Sequence, residues 1–130
     1  MKIADAQGLN KKERVSSKRM IDKLFEGTNH RSLTSFPIRL VYMEAERALS
    51  NDAGAQIMVS VPKRFFKRAV KRNRVKRQIR EAYRHNKQIL PDREGKTLVL
   101  AFIWMDDQLH ESAEIEKKVK NLLLRVCERL

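Results

Sequence analysis

The sequence contains one cysteine, Cys127, and only four glycines and three prolines in 130 residues. A single thiol excludes an internal disulfide and a cysteine-built zinc site, and it fits a reducing compartment; Cys127 itself reads as a buried thiol. So little glycine and proline fits one compact domain with a modest core, and a second domain is not expected. No apolar run reaches the length of about 18 residues that a membrane-spanning helix needs. Met1-Lys2-Ile3-Ala4-Asp5-Ala6 lacks the apolar core of a signal peptide, so the cytoplasm is the expected location and no membrane partner is expected. Gly8, Gly27, Gly54 and Gly95 are isolated, which leaves no glycine-rich phosphate loop. His30, His85 and His110 match no metal-ligand spacing and read as surface residues, and Asp106-Asp107 reads as a loop or helix cap sooner than a Mg²⁺ site. Neither a catalytic residue nor a metal ligand is therefore expected in this chain.

Positive charge is what the sequence has in excess. Lys and Arg number 29 against 16 Asp and Glu, a net charge of +13 that calls for a polyanionic partner. Between Lys63 and Lys87 stand twelve of the basic residues and one acid, Glu81. The other 17 basic and 15 acidic residues nearly balance, so one quarter of the chain carries almost the whole excess.

Apolar periodicity predicts the elements. Residues 1–8 are expected to be a disordered tail of a single domain spanning 1–130. Ser17 can cap a short helix with Met20, Ile21, Leu24 and Phe25 on one stripe, ended by Gly27. A strand is predicted over Phe36–Met43, with Pro37 near its start, and another over Gln56–Val61; the turn Ser50–Gly54 between them suggests an antiparallel pair. From Arg68 to Leu90 the spacing is helical and gathers Val75, Ile79, Ala82, Tyr83, Asn86, Ile89 and Leu90 on one side. The nearly continuous apolar run Thr97–Met105 suits a central strand covered on both faces. Ile115, Val119, Leu122, Leu123, Val126 and Leu130 mark a closing amphipathic helix, with Glu114 and Glu116 well placed near its start. This order implies an α+β sandwich.

On the second predicted helix Asn73, Arg74, Lys76, Arg77, Arg80, Arg84 and Lys87 fall opposite the apolar stripe. Like charges so arranged repel one another, and the arrangement makes physical sense if phosphates neutralise it. Arginine suits that role because its planar fork bonds two phosphate oxygens at once and stacks on bases. A merely solvated face is the plainer alternative. A membrane-surface helix would need an exposed apolar face, whereas this one must cover the sheet.

The run Lys71-Arg72-Asn73-Arg74-Val75-Lys76-Arg77-Gln78-Ile79-Arg80-Glu81 resembles the RNR signature of the bacterial ribonuclease P protein family. Met58-Val59-Ser60-Val61-Pro62-Lys63-Arg64 resembles the strand and loop that lead into it, and the likeness extends from about Leu9 to Leu130. The resemblance implies a sheet of about four strands with three helices and a left-handed βαβ crossover, where the general rule is right-handed. It implies the protein subunit of an endoribonuclease holoenzyme whose RNA holds the catalytic centre and uses Mg²⁺, and which removes the 5′ leader of precursor tRNA. Its implied partners are ribonuclease P RNA and precursor tRNA, with no obligate protein partner. Carried onto this chain, the contact with the catalytic RNA falls on Lys63, Arg64, Arg68, Arg72, Asn73, Arg74, Lys76, Arg77 and Arg80. A leader-binding cleft falls on Ile21, Phe25, Pro37, Arg39 and Val41, although Ile21 and Phe25 at i, i+4 also suit a core. Ile21 replaces a frequent aromatic, and Phe65-Phe66-Lys67 replaces a shorter glycine-containing turn.

The alternative of a different class is a general basic nucleic-acid-binding module such as a ribosomal protein. A self-sufficient nuclease is disfavoured by the missing HxH pair, carboxylate cluster and phosphate loop.

Overall fold

Six consecutive buried residues, Thr97 to Phe102, can be accommodated only by a strand with ladder partners on both edges and packing on both faces. The computed structural model, which describes residues 31–46, 55–91 and 95–130, gives that strand this environment. Its elements in chain order are β1 (Arg31–Ser35), β2 (Ile38–Glu46), β3 (Ala55–Ser60), α1 (Ala69–Asn86) with a 3-10 turn Lys87–Ile89, β4 (Lys96–Trp104) and α2 (Ser112–Arg129). The sheet order is β1-β2-β4-β3, with β4 antiparallel to β2 and parallel to β3. The expected central position of the apolar strand therefore holds, and α1 forms the crossover between the parallel strands.

Two expectations change. The strands over 36–43 and 56–61 are not neighbours, because β4 lies between them. A turn between two strands suggests a hairpin, but both edges of β4 need backbone partners, and that requirement separates them. The actual hairpin partner of β2 is β1, which the periodicity missed because only Leu33 of its five residues is buried. Pro37 accordingly lies in the β1–β2 turn, after a cis Phe36-Pro37 peptide bond, and β2 starts at Ile38. The Met105 N–H donates to the Pro37 carbonyl at 2.8 Å and ties the end of β4 to this turn. The helix predicted after Ser17 lies outside the described residues, as do residues 1–8 and the turn at 50–54. Among the described residues there are two α-helices.

Alternation sorts the sheet into two faces. Ile38, Leu40, Tyr42, Ile57, Val59, Leu98, Leu100, Phe102 and Trp104 join the main core with Val75, Ile79 and Tyr83 of α1 and Ile115, Val119, Leu122, Leu123 and Val126 of α2. Val41, Met43, Val99 and Ala101 form a second cluster, with Met58 and Ile103 packed against it. Both helices thus cover one face. Burying each such aliphatic side chain contributes about 1.5–3 kcal/mol, so the apolar side of α1 is committed to the core. Cys127 is half-buried, on the flank of α2 and not in its apolar stripe, a correction to the expected buried thiol. No helix among the described residues is long and apolar enough to cross a membrane.

Candidate nucleic-acid interface

With Val75, Ile79, Ala82, Tyr83 and Asn86 facing inward, the opposite side of α1 is presented to solvent. Asn73, Arg74 and Arg77 are exposed there, and Lys76 and Arg80 are half-buried on the flanks, where long stems lie along the helix and the charged ends reach out. Lys63, Arg64 and Arg68 are exposed in the segment that enters α1. The structure therefore brings these eight of the nine residues expected at the RNA contact onto α1 and its entrance.

Arg72 is the exception in orientation. It is half-buried, and its Nη1 donates to the main-chain carbonyls of Phe66, at 2.7 Å, and Lys67, at 2.8 Å. On the helix it lies in line with Val75, Ile79 and Tyr83, at i+3, i+7 and i+11, so the wheel already sets it apart from the basic face, while the loop that curls beneath it takes its place from tertiary structure. The entrance segment is otherwise shaped by the Phe65 N–H, which donates to the Pro62 carbonyl at 3.1 Å, and by the buried Phe66 ring. The Arg64 guanidinium lies 4.8 Å from the centroid of the Phe65 ring, a cation–π contact that leaves the charge accessible.

Little in the helix offsets this charge. Arg68 occupies the N-cap position without a side-chain cap, and the first turn contains no acid, which is unfavourable for a helix dipole beside so many cations. Glu81 accepts a bond from Arg84 Nη2 at 2.6 Å, and that bond holds the Glu81 carboxyl below its usual range. On the side toward α2, His85 Nδ1 lies 3.0 Å from Glu116 Oε1.

Sequence reasoning missed the joint between the helices. Gln78 is 9% exposed, and its Nε2 donates to the His110 carbonyl at 3.1 Å and to Ser112 Oγ at 3.0 Å. Its position three residues after Val75, on the edge of the apolar stripe, was the available signal. His110 is not a surface residue either: its ring packs edge-on against Trp104, with centroids 5.3 Å apart. His85 keeps the expected surface position, its side chain 41% exposed beside the Glu116 carboxylate, and His30 lies outside the described residues. Among the described residues no group of three or more His, Cys, Asp or Glu side chains is arranged to hold a metal ion.

The expected leader-cleft residues do not share one environment. Ile21 and Phe25 lie outside the described residues. Pro37 is buried in the β1–β2 turn, and Val41 is 2% exposed in the second apolar cluster. Arg39, two positions from Val41 on the same face of β2, is exposed, and its Nε donates to Ser32 Oγ at 3.1 Å.

Comparison with known proteins gives a consistent result. The family model described as Ribonuclease P matches residues 9–127. The ribonuclease P protein component of Porphyromonas gingivalis is 37% identical over 124 residues, covering 92% of this chain and 87% of that protein. The solved RNase P protein from Thermotoga maritima superposes with a TM-score of 0.67 at 22% identity, over 87% of this chain and 96% of that one. The RNase P protein from Staphylococcus aureus does so with a TM-score of 0.59 at 18% identity, over 92% of each chain.

Proposed function

This chain belongs to the ribonuclease P protein family, and from that premise we propose that it docks on the catalytic RNA through α1 and its entrance segment while a separate surface takes the 5′ leader of precursor tRNA. A role in tRNA processing as a component of an endoribonuclease follows from the family. The reading adds that the RNA carries the catalytic centre and uses Mg²⁺, and that the protein offsets phosphate repulsion so that RNA and metal can align. It also takes 1–130 as one domain with the left-handed crossover that the resemblance implies, acting in the cytoplasm without an obligate protein partner. A general basic nucleic-acid-binding module is not favoured, since the family match runs over residues 9–127.

The observation that carries the docking reading is the one-sided charge of α1. Asn73, Arg74 and Arg77 project away from a side committed to the core, so their exposure is fixed by packing. Backbone phosphates neutralise such a face, and arginine forks orient it.

The test is reconstitution. Precursor tRNA is incubated with the protein alone, with a bacterial ribonuclease P RNA alone, and with both at low Mg²⁺. Leader removal stimulated only in the mixture is expected. Cleavage by the protein alone, or no stimulation of the RNA, would overturn the reading.

A further inference from the structure

The loop between β3 and α1 presents Lys63, Arg64, Lys67 and Arg68 to solvent, and four cations on a short loop repel one another. A loop of this composition needs a fixed frame if its charges are to meet phosphates in one geometry, since ordering it on binding would cost affinity. Its carbonyls add a second difficulty. Those of Phe66 and Lys67 converge on one point, where they would face an approaching phosphate acceptor to acceptor.

Both difficulties are met by one side chain. Each hydrogen of Arg72 Nη1 has a carbonyl to bond, Phe66 at 2.7 Å and Lys67 at 2.8 Å. These are charge-assisted bonds to neighbouring main-chain groups, and they turn a convergent pair of acceptors into the seat of a cation. The remaining fixtures of the loop are the buried Phe66 ring, at 5% exposure, and the Phe65–Pro62 turn bond of 3.1 Å. Phe65-Phe66-Lys67 thus obtains a defined shape without a glycine. Phe66 enters the core, Phe65 lies under Arg64, and Arg72 closes the end.

We propose that Arg72 is a positioning residue: it clamps the loop so that Lys63 and Arg64 meet the catalytic RNA as a fixed pair, instead of contacting phosphate itself. This rests on the docking reading above, and it makes the first arginine of the signature act from inside the protein.

A double-mutant cycle on the full chain tests it, with a bacterial ribonuclease P RNA transcript as the probe. Arg72→Ala is expected to weaken binding about tenfold in the native loop, but by no more than about twofold in a Lys63→Ala/Arg64→Ala background, a coupling of about fivefold. Arg72→Met, which keeps the stem packing and removes the donors, should behave in the same way if Arg72→Ala folds poorly. Chymotrypsin should cleave after Phe65 and Phe66 several-fold faster in either variant, while the thermal midpoint stays close to native. Equal losses in both backgrounds would mean a direct phosphate contact and overturn the proposal, as would unchanged affinity in the native loop. Arg74→Ala separates the two readings. If neither it nor Lys63→Ala/Arg64→Ala affects RNA binding, the docking reading fails; the protease rates then still decide whether Arg72 clamps the loop, with unchanged cleavage counting against it.

Discussion

Nε2 of His110 lies 2.7 Å from Oδ2 of Asp106, where the chain turns from β4 into α2. Both side chains are 17% exposed, and Nδ1 of the same ring is 3.4 Å from Glu114 Oε2. The bond to Asp106 foremost, and then the one to Glu114, raises the His110 pKa above its ordinary value; the same bond to His110 lowers that of Asp106. The signs fix a window. Stabilisation from His110 is complete below its unfolded value of about 6.5 and is lost as pH rises through the higher folded value. Stabilisation from Asp106 is present above its unfolded value of about 3.9 and is lost as pH falls through the lower folded value. The thermal midpoint of the native protein should therefore exceed that of Asp106→Asn most clearly between about pH 4 and 6.5, and the gap should close at higher pH. Trp104, the only tryptophan in the chain, packs on this imidazole and gives a direct reading. Its fluorescence should titrate with a midpoint above 6.5, moving down in Asp106→Asn. A native midpoint at or below that value would dissolve the pair as an ionic contact.

Gln78 bridges α1 to the start of α2. Gln78→Ala removes both of its donor bonds and leaves the His110 carbonyl and Ser112 hydroxyl to find other partners. A loss of about 1–3 kcal/mol in denaturant unfolding is expected, with RNA affinity of the folded protein unchanged because the side chain is buried. A loss of RNA affinity without a loss of stability would place Gln78 in the interface.

For the exposed face of α1 the salt dependence is the sharper measurement. Arg74→Ala and Arg77→Ala should each reduce the slope of log affinity against log salt by about 0.7–0.9, the equivalent of one phosphate, with far-UV circular dichroism unchanged. Glu81→Gln has the opposite sign: it removes the one acid from the basic stretch and should raise affinity by about 0.5 kcal/mol, roughly twofold. Filter binding at several salt concentrations checks all three. Unaltered slopes in both arginine variants would show that α1 is not on the RNA.

The legible parts of the molecule are those where one side of an element must be dry. The apolar stripe from Val75 to Asn86 fixes the rotation of α1, and that rotation fixes which cations point outward. The run of Leu98 to Phe102 likewise fixes β4 as central. What stayed hidden depends on tertiary partners. β1 buries one residue and so carries no periodic signal, the order of β2, β4 and β3 is decided by backbone pairing that side-chain patterns do not encode, and Arg72 and His110 take their roles from residues on other elements. The RNR resemblance could place Arg72 in the signature but could not show which way its guanidinium turns.

The proposed leader site can be divided within one strand. Arg39 and Val41 alternate onto the same face of β2, but Arg39 is exposed while Val41 is 2% exposed among Met43, Val99 and Ala101. If the leader crosses this face, Arg39→Ala should weaken binding of precursor tRNA to a holoenzyme assembled with a bacterial ribonuclease P RNA by about 1.5 kcal/mol, roughly tenfold. Mature tRNA, which has no leader, should bind as before. Val41→Ala should instead cost about 1–3 kcal/mol of stability and affect both ligands alike, because it opens a hole in a packed cluster. Phe25→Ala tests the part of the site outside the described residues. A stacked base lost there would cost about 1–3 kcal/mol for the precursor alone, and Ile21→Phe should strengthen precursor binding by supplying an aromatic face. Equal losses for precursor and mature tRNA in both Arg39→Ala and Phe25→Ala, with thermal midpoints near native, would move the leader off this face of the sheet.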